Sequence, residues 1–347
     1  MTKKLITLLV LFCAMTAGAQ ENKWFQNLKL SGYGMIQYQA SDKVEEEANS
    51  FNLRLVRVAL EGHAHDNFYY KAQMQINGNT STGSTAIRLV DLFGEWQKWK
   101  FFRVKAGQFK RPFTFENPMH PINQGFMSYS QNVTKLAGFS DRTGEQASNG
   151  RDIGLQVQGD VLNIGGRPWL HYQVGVFNGE GINMKDKDNR KDIIGGLWVM
   201  PINGLRIGAF GWTGNRVGVG NKNRYALSAE YARNDWTFRS EYIHSQGIGA
   251  DAEAGDKADG LYALSIVPII KNKLHVKARY DCYRDRKSWA WSKTNYEVGA
   301  DYMFTKNLQL NIEYARVNER NEHTYLYTTG TEHHNYNLID VELDVRF

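Results

Sequence analysis

The sequence predicts an all-β fold: a 16-stranded antiparallel transmembrane β-barrel with short periplasmic turns and long extracellular loops. Three observations carry the prediction. Many segments of about ten residues alternate apolar and polar side chains, tight and long connections alternate along the chain, and the last strand ends on an aromatic residue. A mean hydropathy of −0.52 excludes a helical membrane bundle, and 13% aromatic residues with only 6 prolines in 347 argue against a disordered chain.

The first residues are set apart from the fold. Lys3 and Lys4 precede an apolar run over 5–14, and Ala17, Gly18 and Ala19 follow as a small-residue cleavage site. This pattern predicts a secretory signal peptide over 1–19, which leaves 20–347 as an outer-membrane barrel. Phe12 stands before Cys13, where a lipoprotein signal needs a small residue. Loss of the leader leaves Cys282 as the one cysteine, so no internal disulfide forms and stability must come from an extensive sheet. It also lowers the formal charge from +6 to about +4, too small an excess to identify an anionic partner. No zinc-finger, RNP or helix-turn-helix signature is present, so nucleic acid is not an expected partner.

The strands follow from a period of two, which a helix cannot present as one face. Phe68, Tyr70, Ala72, Met74 and Ile76 share one parity, and Tyr69, Lys71, Gln73, Gln75 and Asn77 the other. Leu274, Val276, Ala278 and Tyr280 alternate likewise with His275, Lys277, Arg279 and Asp281. Sixteen such segments are predicted, over 28–40, 51–64, 67–77, 86–97, 100–109, 151–161, 168–178, 192–201, 204–213, 223–233, 235–246, 259–269, 272–283, 294–303, 306–318 and 336–347. An even number suits a closed bacterial barrel.

Connections at 64–67, 97–100, 201–204, 233–235, 269–272 and 304–306 are tight. Between them lie longer polar stretches at 41–50, 178–191, 246–258, 284–293 and 318–335. The turn around Gly165 is expected to be moderately longer than the other tight ones. In the last segment Asn337, Ile339, Val341, Leu343, Val345 and Phe347 oppose Asp340, Glu342, Asp344 and Arg346, a pattern suited to a barrel-closing strand whose terminal aromatic serves as an assembly signal.

Closure has a physical cause. Unpaired backbone groups in hydrocarbon cost several kcal/mol each, and a ring pairs every strand twice. The outward parity then faces lipid and the inward parity faces water, so a polar average is compatible with a membrane protein. Tyr33, Tyr38, Phe68, Trp96, Trp236, Tyr302 and Tyr314 fit girdles at the two interfaces.

Residues 110–150 form the longest connection. It is too long for closure alone and is expected to fold inward and narrow the lumen, an extracellular lid or adhesive loop being the alternative. Its charged candidates are Lys110, Arg111, Glu116, Lys135 and Arg142. Selectivity of a water-filled pore is expected from inward charges. The basic candidates are Arg57, Lys71, Arg103, Lys105, Lys277 and Arg279, and the acidic ones Glu61, Asp91, Glu95, Asp281, Glu297, Asp301 and Glu313. The early strands are more basic inside and the late ones more acidic, which suggests a transverse field.

No residue set predicts catalysis, a metal or a cofactor. His323, Glu332, His333 and His334 lack a matched four-ligand spacing, and Asp251, Glu253, Asp256 and Asp259 miss the EF-hand spacing. The glycines within 215–221 lack a strand-to-helix phosphate cradle. Gly-x-Ser-x-Gly is absent, although serine chemistry has other arrangements. An outer-membrane lipase or protease, and a non-conducting adhesive or structural barrel, stand as alternatives to a channel.

The stretch Val90-Asp91-Leu92-Phe93-Gly94-Glu95-Trp96, followed by Arg103-Val104-Lys105-Ala106-Gly107-Gln108-Phe109-Lys110-Arg111-Pro112-Phe113, resembles the phosphate-selective porin O and P family. Gly150-Arg151-Asp152-Ile153-Gly154-Leu155-Gln156-Val157 and Val174-Gly175-Val176-Phe177-Asn178-Gly179 add to the likeness. The resemblance implies a barrel in the cell outer membrane of a Gram-negative bacterium, commonly trimeric, passing small hydrophilic anions such as phosphate through a channel narrowed by an inward loop. Lys110 matches the lysine of the family's Gly-Gln-Phe-Lys element, and 111–113 continue it into the constriction loop. Expected partners are outer-membrane lipid and lipopolysaccharide, the barrel assembly machinery, the permeating solutes and a homotrimer of the chain itself. General or oligosaccharide-related diffusion is the alternative solute range.

Overall fold

The computed structural model describes residues 26–43, 48–77, 87–139, 149–216, 220–247, 257–325 and 328–347. The predicted signal peptide lies outside them. The described chain forms sixteen strands: β1 (Gln26–Ser41), β2 (Ala48–His65), β3 (Phe68–Gln75), β4 (Arg88–Trp99), β5 (Phe102–Lys110), β6 (Arg151–Ile164), β7 (Arg167–Phe177), β8 (Asp192–Val199), β9 (Leu205–Arg216), β10 (Gly220–Arg233), β11 (Trp236–Gln246), β12 (Lys257–Ile270), β13 (Leu274–Arg284), β14 (Ser292–Thr305), β15 (Leu308–Tyr325) and β16 (Thr328–Arg346). Each pairs antiparallel with its neighbours in sequence, and β1 pairs with β16, so the ring has no open edge. All sixteen predicted segments are strands. Among the described residues, no helix is long and apolar enough to cross a membrane.

Alternation sorts the side chains as predicted over most of the wall. Val276, Ile312, Ile339 and Val345 face outward and exposed, whereas Lys277, Glu313, Asp340 and Asp344 are buried on the inner side. The girdle assignment fails for Tyr33. It lies an odd number of residues from Tyr38 and so takes the opposite face, where it is 5% exposed and its hydroxyl accepts from Arg57 Nη1. Phe68, Trp236 and Tyr314 are exposed on the outer face.

Two connections are shorter than the sequence suggested. β6 and β7 join through Gly165 and Gly166 alone, with Ile164 opposite Arg167 and both glycines at positive φ (61° and 78°). Two left-handed residues in succession make the tight turn that matches strand twist, and glycine takes them without strain. The polar stretch 318–335 is mostly ladder: β15 and β16 keep pairing to Tyr325 and Thr328. Polar strands beyond the bilayer still gain backbone pairing, so loss of apolar alternation did not mark the end of the sheet there.

Between β5 and β6 the chain leaves the wall and carries a 3-10 turn (Pro121–Asn123) and a short helix, α1 (Gln131–Leu136). Phe113, Phe115, Val133 and Leu136 of this segment pack with Phe177, Ile194, Phe210, Trp212 and Ile243 of the wall in one buried cluster. The inward parity of β7–β9 and β11 is therefore partly apolar and covered by the segment, rather than facing water throughout.

Candidate pore lining and loop anchors

The connecting segment is tied to the far side of the ring from both of its polar backbone groups. Wall carboxylates accept its amides: Glu241 Oε1 from Phe115 N (2.6 Å) and Glu116 N (3.0 Å), Glu313 Oε1 from Met127 N (2.9 Å), and Asp281 Oδ2 from Gln131 N (2.8 Å). Wall cations donate to its carbonyls: Lys277 to Gly125 O (2.9 Å), Arg279 to Ser128 O (2.8 Å), Arg224 to Leu136 O (2.9 Å), Arg346 to Ile122 O (3.1 Å), and Arg239 to Gln124 O. Irregular backbone at membrane depth needs such partners, because lipid supplies none.

These contacts show where each predicted residue goes. Lys277 also pairs with Glu313, and Arg279 Nη2 donates to Glu297 Oε1 (2.9 Å), so both cations are committed to the loop and its neighbours. Lys110 turns into the loop, where its ammonium donates to Asn117 O (2.8 Å), Met119 O (2.6 Å) and Tyr129 Oη (2.6 Å). Arg111 forms a fully buried ion pair with Asp152 (2.9 Å) and lies over the Trp212 ring. Glu116 accepts from Ser130 N and Oγ and thereby fixes the residue that caps α1, since Ser130 Oγ accepts from Val133 N. Lys135 is exposed in the last turn of α1. Arg142 lies outside the described residues.

Arg103 and Lys105 belong to a separate inward belt. Arg103 pairs with Asp160 (3.0 Å), which also meets His171 Nδ1 (2.7 Å), and Lys105 pairs with Glu95 (3.6 Å) while lying over Phe93 and Phe109.

Arg57 and Lys71 are brought together with two arginines that the alternation rule missed or left unassigned, Arg88 and Arg151. Arg57 and Arg151 lie close enough to repel each other and both Lys71 and Arg88. Arg151 is balanced by Asp91 (2.6 Å), Arg57 is held by Gln75 Oε1 and Tyr33, and Lys71 sits 3.8 Å from Glu61. Arg88 is half-buried, its Nε has no hydrogen-bond partner, and no ion pair reaches it among the described residues. A bulge explains its direction. Asp91 is opposite Gln73 but Leu89 is opposite Met74, so Val90 is the extra residue and Arg88 comes to face Gln75 on the inner side. A second bulge acts the same way on β2, where Arg54 stands between Leu53 and Leu55, which face Ile36 and Met35, and its Nη1 reaches Glu342 (3.1 Å).

Beside this basic sector, β15 and β16 supply Glu313, Asp340, Glu342 and Asp344, all buried on the inner side. Among the described residues of the loop, the exposed or half-exposed side chains, from Pro118 and His120 to Ser128, Thr134, Lys135 and Phe139, carry no carboxylate; Asp141 and Glu145 lie outside the described residues. His120 reaches the basic sector: its Nε2 lies 3.2 Å from Lys71 Nζ and its ring meets Tyr33 edge-on. Burial, reinforced by the Lys71 and Lys110 charges, pushes the His120 imidazole down to about 3.

Of the other acidic or histidine groups, Asp259 pairs with Arg284 (2.7 Å), whereas Asp251, Glu253, Asp256 and the side chains of His323, Glu332 and His333 lie outside the described residues. Among the described residues, no group of three histidine, cysteine, aspartate or glutamate side chains is arranged to hold a metal ion.

A family model described as Gram-negative porin matches residues 6–322. No curated protein matches the chain in sequence. The barrel superposes on the anion-selective porin from Comamonas acidovorans with a TM-score of 0.67 at 13% identity, covering 92% of this chain and 99% of that one. Salmonella typhi OmpF, in a complex with daunomycin, gives 0.66 at 10% identity over 92% and 97% of the two chains. OmpT of Vibrio cholerae in its trimer form gives 0.61 at 12% identity over 92% and 99%.

Proposed function

The chain belongs to the Gram-negative porin family, and from that premise we propose that this outer-membrane barrel passes small hydrophilic solutes passively, with a preference for anions, through a lumen narrowed by the segment between β5 and β6. The observation that carries the anion preference is Arg88. A guanidinium without an acceptor is costly to bury unless water or a passing anion solvates it, and this one sits beside Arg57 and Arg151 on the inner wall. The described exposed side chains of the loop include Lys135 and add no carboxylate that would cancel the field.

The finer solute range follows the resemblance to the phosphate-selective porins: phosphate is the first anion to compare with chloride. Among the described residues, the paired histidines His171 and His275 each meet a carboxylate, Asp160 and Asp301, but neither ring is hydrogen-bonded to a serine, threonine or cysteine, which favours a passive channel over a serine lipase or protease.

Single-channel recording in a planar bilayer tests the reading. A potassium chloride gradient should give a reversal potential of the sign set by anion flow, and Arg88→Gln should lower the anion-to-cation permeability ratio with the barrel still folded. A cation-preferring wild type would sink the anion reading, and a wild type without conductance would sink the channel. A barrel lacking 118–145 should conduct more than the wild type; equal conductance would remove the loop from the constriction.

A further inference from the structure

Besides its apolar packing on β7–β9, the loop makes polar contacts on two sides of the lumen that differ in strength. Toward β11, β13 and β15 it is held through charge-assisted hydrogen bonds to Glu241, Asp281, Lys277 and Arg279. Toward β1 and β3 the contacts are the hydrogen bond between His120 and Lys71 and the edge-on packing of His120 against Tyr33. The loop tip is braced by the Arg346 bond to Ile122 O, which positions the adjacent turn without engaging the imidazole.

The chemistry at this contact is specific. Lys71 is a donor only, so the imidazole nitrogen facing it at 3.2 Å must accept, and a neutral ring can do so. Glu61 sits farther from the ammonium, at 3.8 Å, and shares its charge with Tyr69, whose hydroxyl donates to Glu61 Oε2 at 2.7 Å. The imidazole therefore holds a place on Lys71 that an anion would otherwise fill.

We propose that His120 is a specificity-determining residue of the passage: it occupies the coordination place on Lys71 that a permeating carboxylate, phosphate or halide must take, so that anions pass by exchange with the imidazole. The inference rests on the channel reading above. Exchange gives up an ammonium–imidazole hydrogen bond and gains a full ammonium–anion pair, which favours anions over neutral solutes at this point. A cation gains nothing from displacing the ring, because Lys71 repels it.

The test uses the full-length barrel in planar bilayers with potassium chloride as the probe, folding being checked by heat-modifiable migration. His120→Ala should raise single-channel conductance roughly two-fold, and His120→Glu, which places a carboxylate on Lys71, should lower the anion-to-cation permeability ratio roughly five-fold. His120→Gln keeps an acceptor and should behave as the wild type. Lys71→Met provides a second route that leaves the loop sequence intact: it should lower the ratio and make it insensitive to His120→Glu. Wild-type conductance and ratio in both His120→Ala and His120→Glu would overturn the assignment, as would an unchanged ratio in Lys71→Met. Absence of conductance in the wild type itself would instead overturn the channel reading.

Discussion

The ring of Phe347 lies over the α-carbon of Gly32, so closely that a methyl group built there would stand 2.7 Å from Phe347 Cε2. Gly32 and Phe347 also exchange backbone bonds of 3.0 Å in both directions. Terminal residue and first strand thus close the barrel with one ladder step and one ring contact. Gly32→Ala should displace the ring, and Phe347→Ala should remove it. Each change is expected to weaken the seam by about 1 kcal/mol; an alanine at 32 also presses on the Arg57 carbonyl at 2.7 Å, so the double variant should cost less than the sum only by the share that the ring contact carries. Unfolding midpoints in denaturant, measured in detergent for the four proteins, check the coupling; strict additivity would show that the contact contributes nothing.

Arg111 and Asp152 form the base of the loop. Both are fully buried, and Asp152 also accepts from Gly179 N (2.9 Å), so the pair joins the loop to the β7 end. Removing the cation alone, in Arg111→Met, leaves a buried carboxylate without its counter-charge and should destabilise the barrel by about 3–5 kcal/mol. Arg111→Met with Asp152→Asn should recover part of that loss. The same unfolding measurement decides, and a double variant no more stable than the single one would contradict the pairing as the cause.

Lys277 and Arg279 stand in the inward parity with the same residue type and spacing as any pore cation, yet both donate to carbonyls of the loop. Neutralising them should loosen the loop more than it alters selectivity. In bilayers, Lys277→Met with Arg279→Met is expected to increase open-channel noise and the mean conductance, whereas Arg88→Gln changes the permeability ratio at nearly constant conductance. A large ratio change in the Lys277 and Arg279 variant with quiet channels would place those cations in the ion path instead.

This contrast marks where the sequence was legible. A period of two reports which face a side chain takes, and it located the strands because each one must keep apolar groups toward lipid. It cannot report what crosses the lumen, since the partner of Lys277 is Gly125, 152 residues away in sequence. It also fails wherever a bulge inserts a residue. Strict alternation from Asp91 puts Arg88 on the lipid side, and strict alternation from Arg57 does the same for Arg54, but Val90 and Arg54 are the extra residues that turn these guanidiniums inward. An arginine at a predicted lipid-facing position was the available signal, because a charge there is costly and demands a local irregularity. His120 gave no such signal; a single loop histidine acquires meaning only when the fold brings Lys71 to it.

The docked tip should respond to acid through His120. In the folded barrel its imidazole titrates near 3, against about 6.5 for an unperturbed histidine. Lys71, Lys110 and Arg151 oppose the added charge, and Asp91 only partly offsets them. A lowered folded value means that the undocked ring binds the proton more readily, so the contact is fully favourable above about pH 6.5 and weakens as pH falls towards the folded value. Conductance should therefore stay level from about pH 8 to about pH 6.5 and rise on further acidification as the tip releases Lys71. His120→Gln removes the imidazole and keeps every lumenal carboxylate, so the difference between the two proteins isolates the ring. Identical pH profiles for wild type and His120→Gln would show that the ring does not control release of the tip.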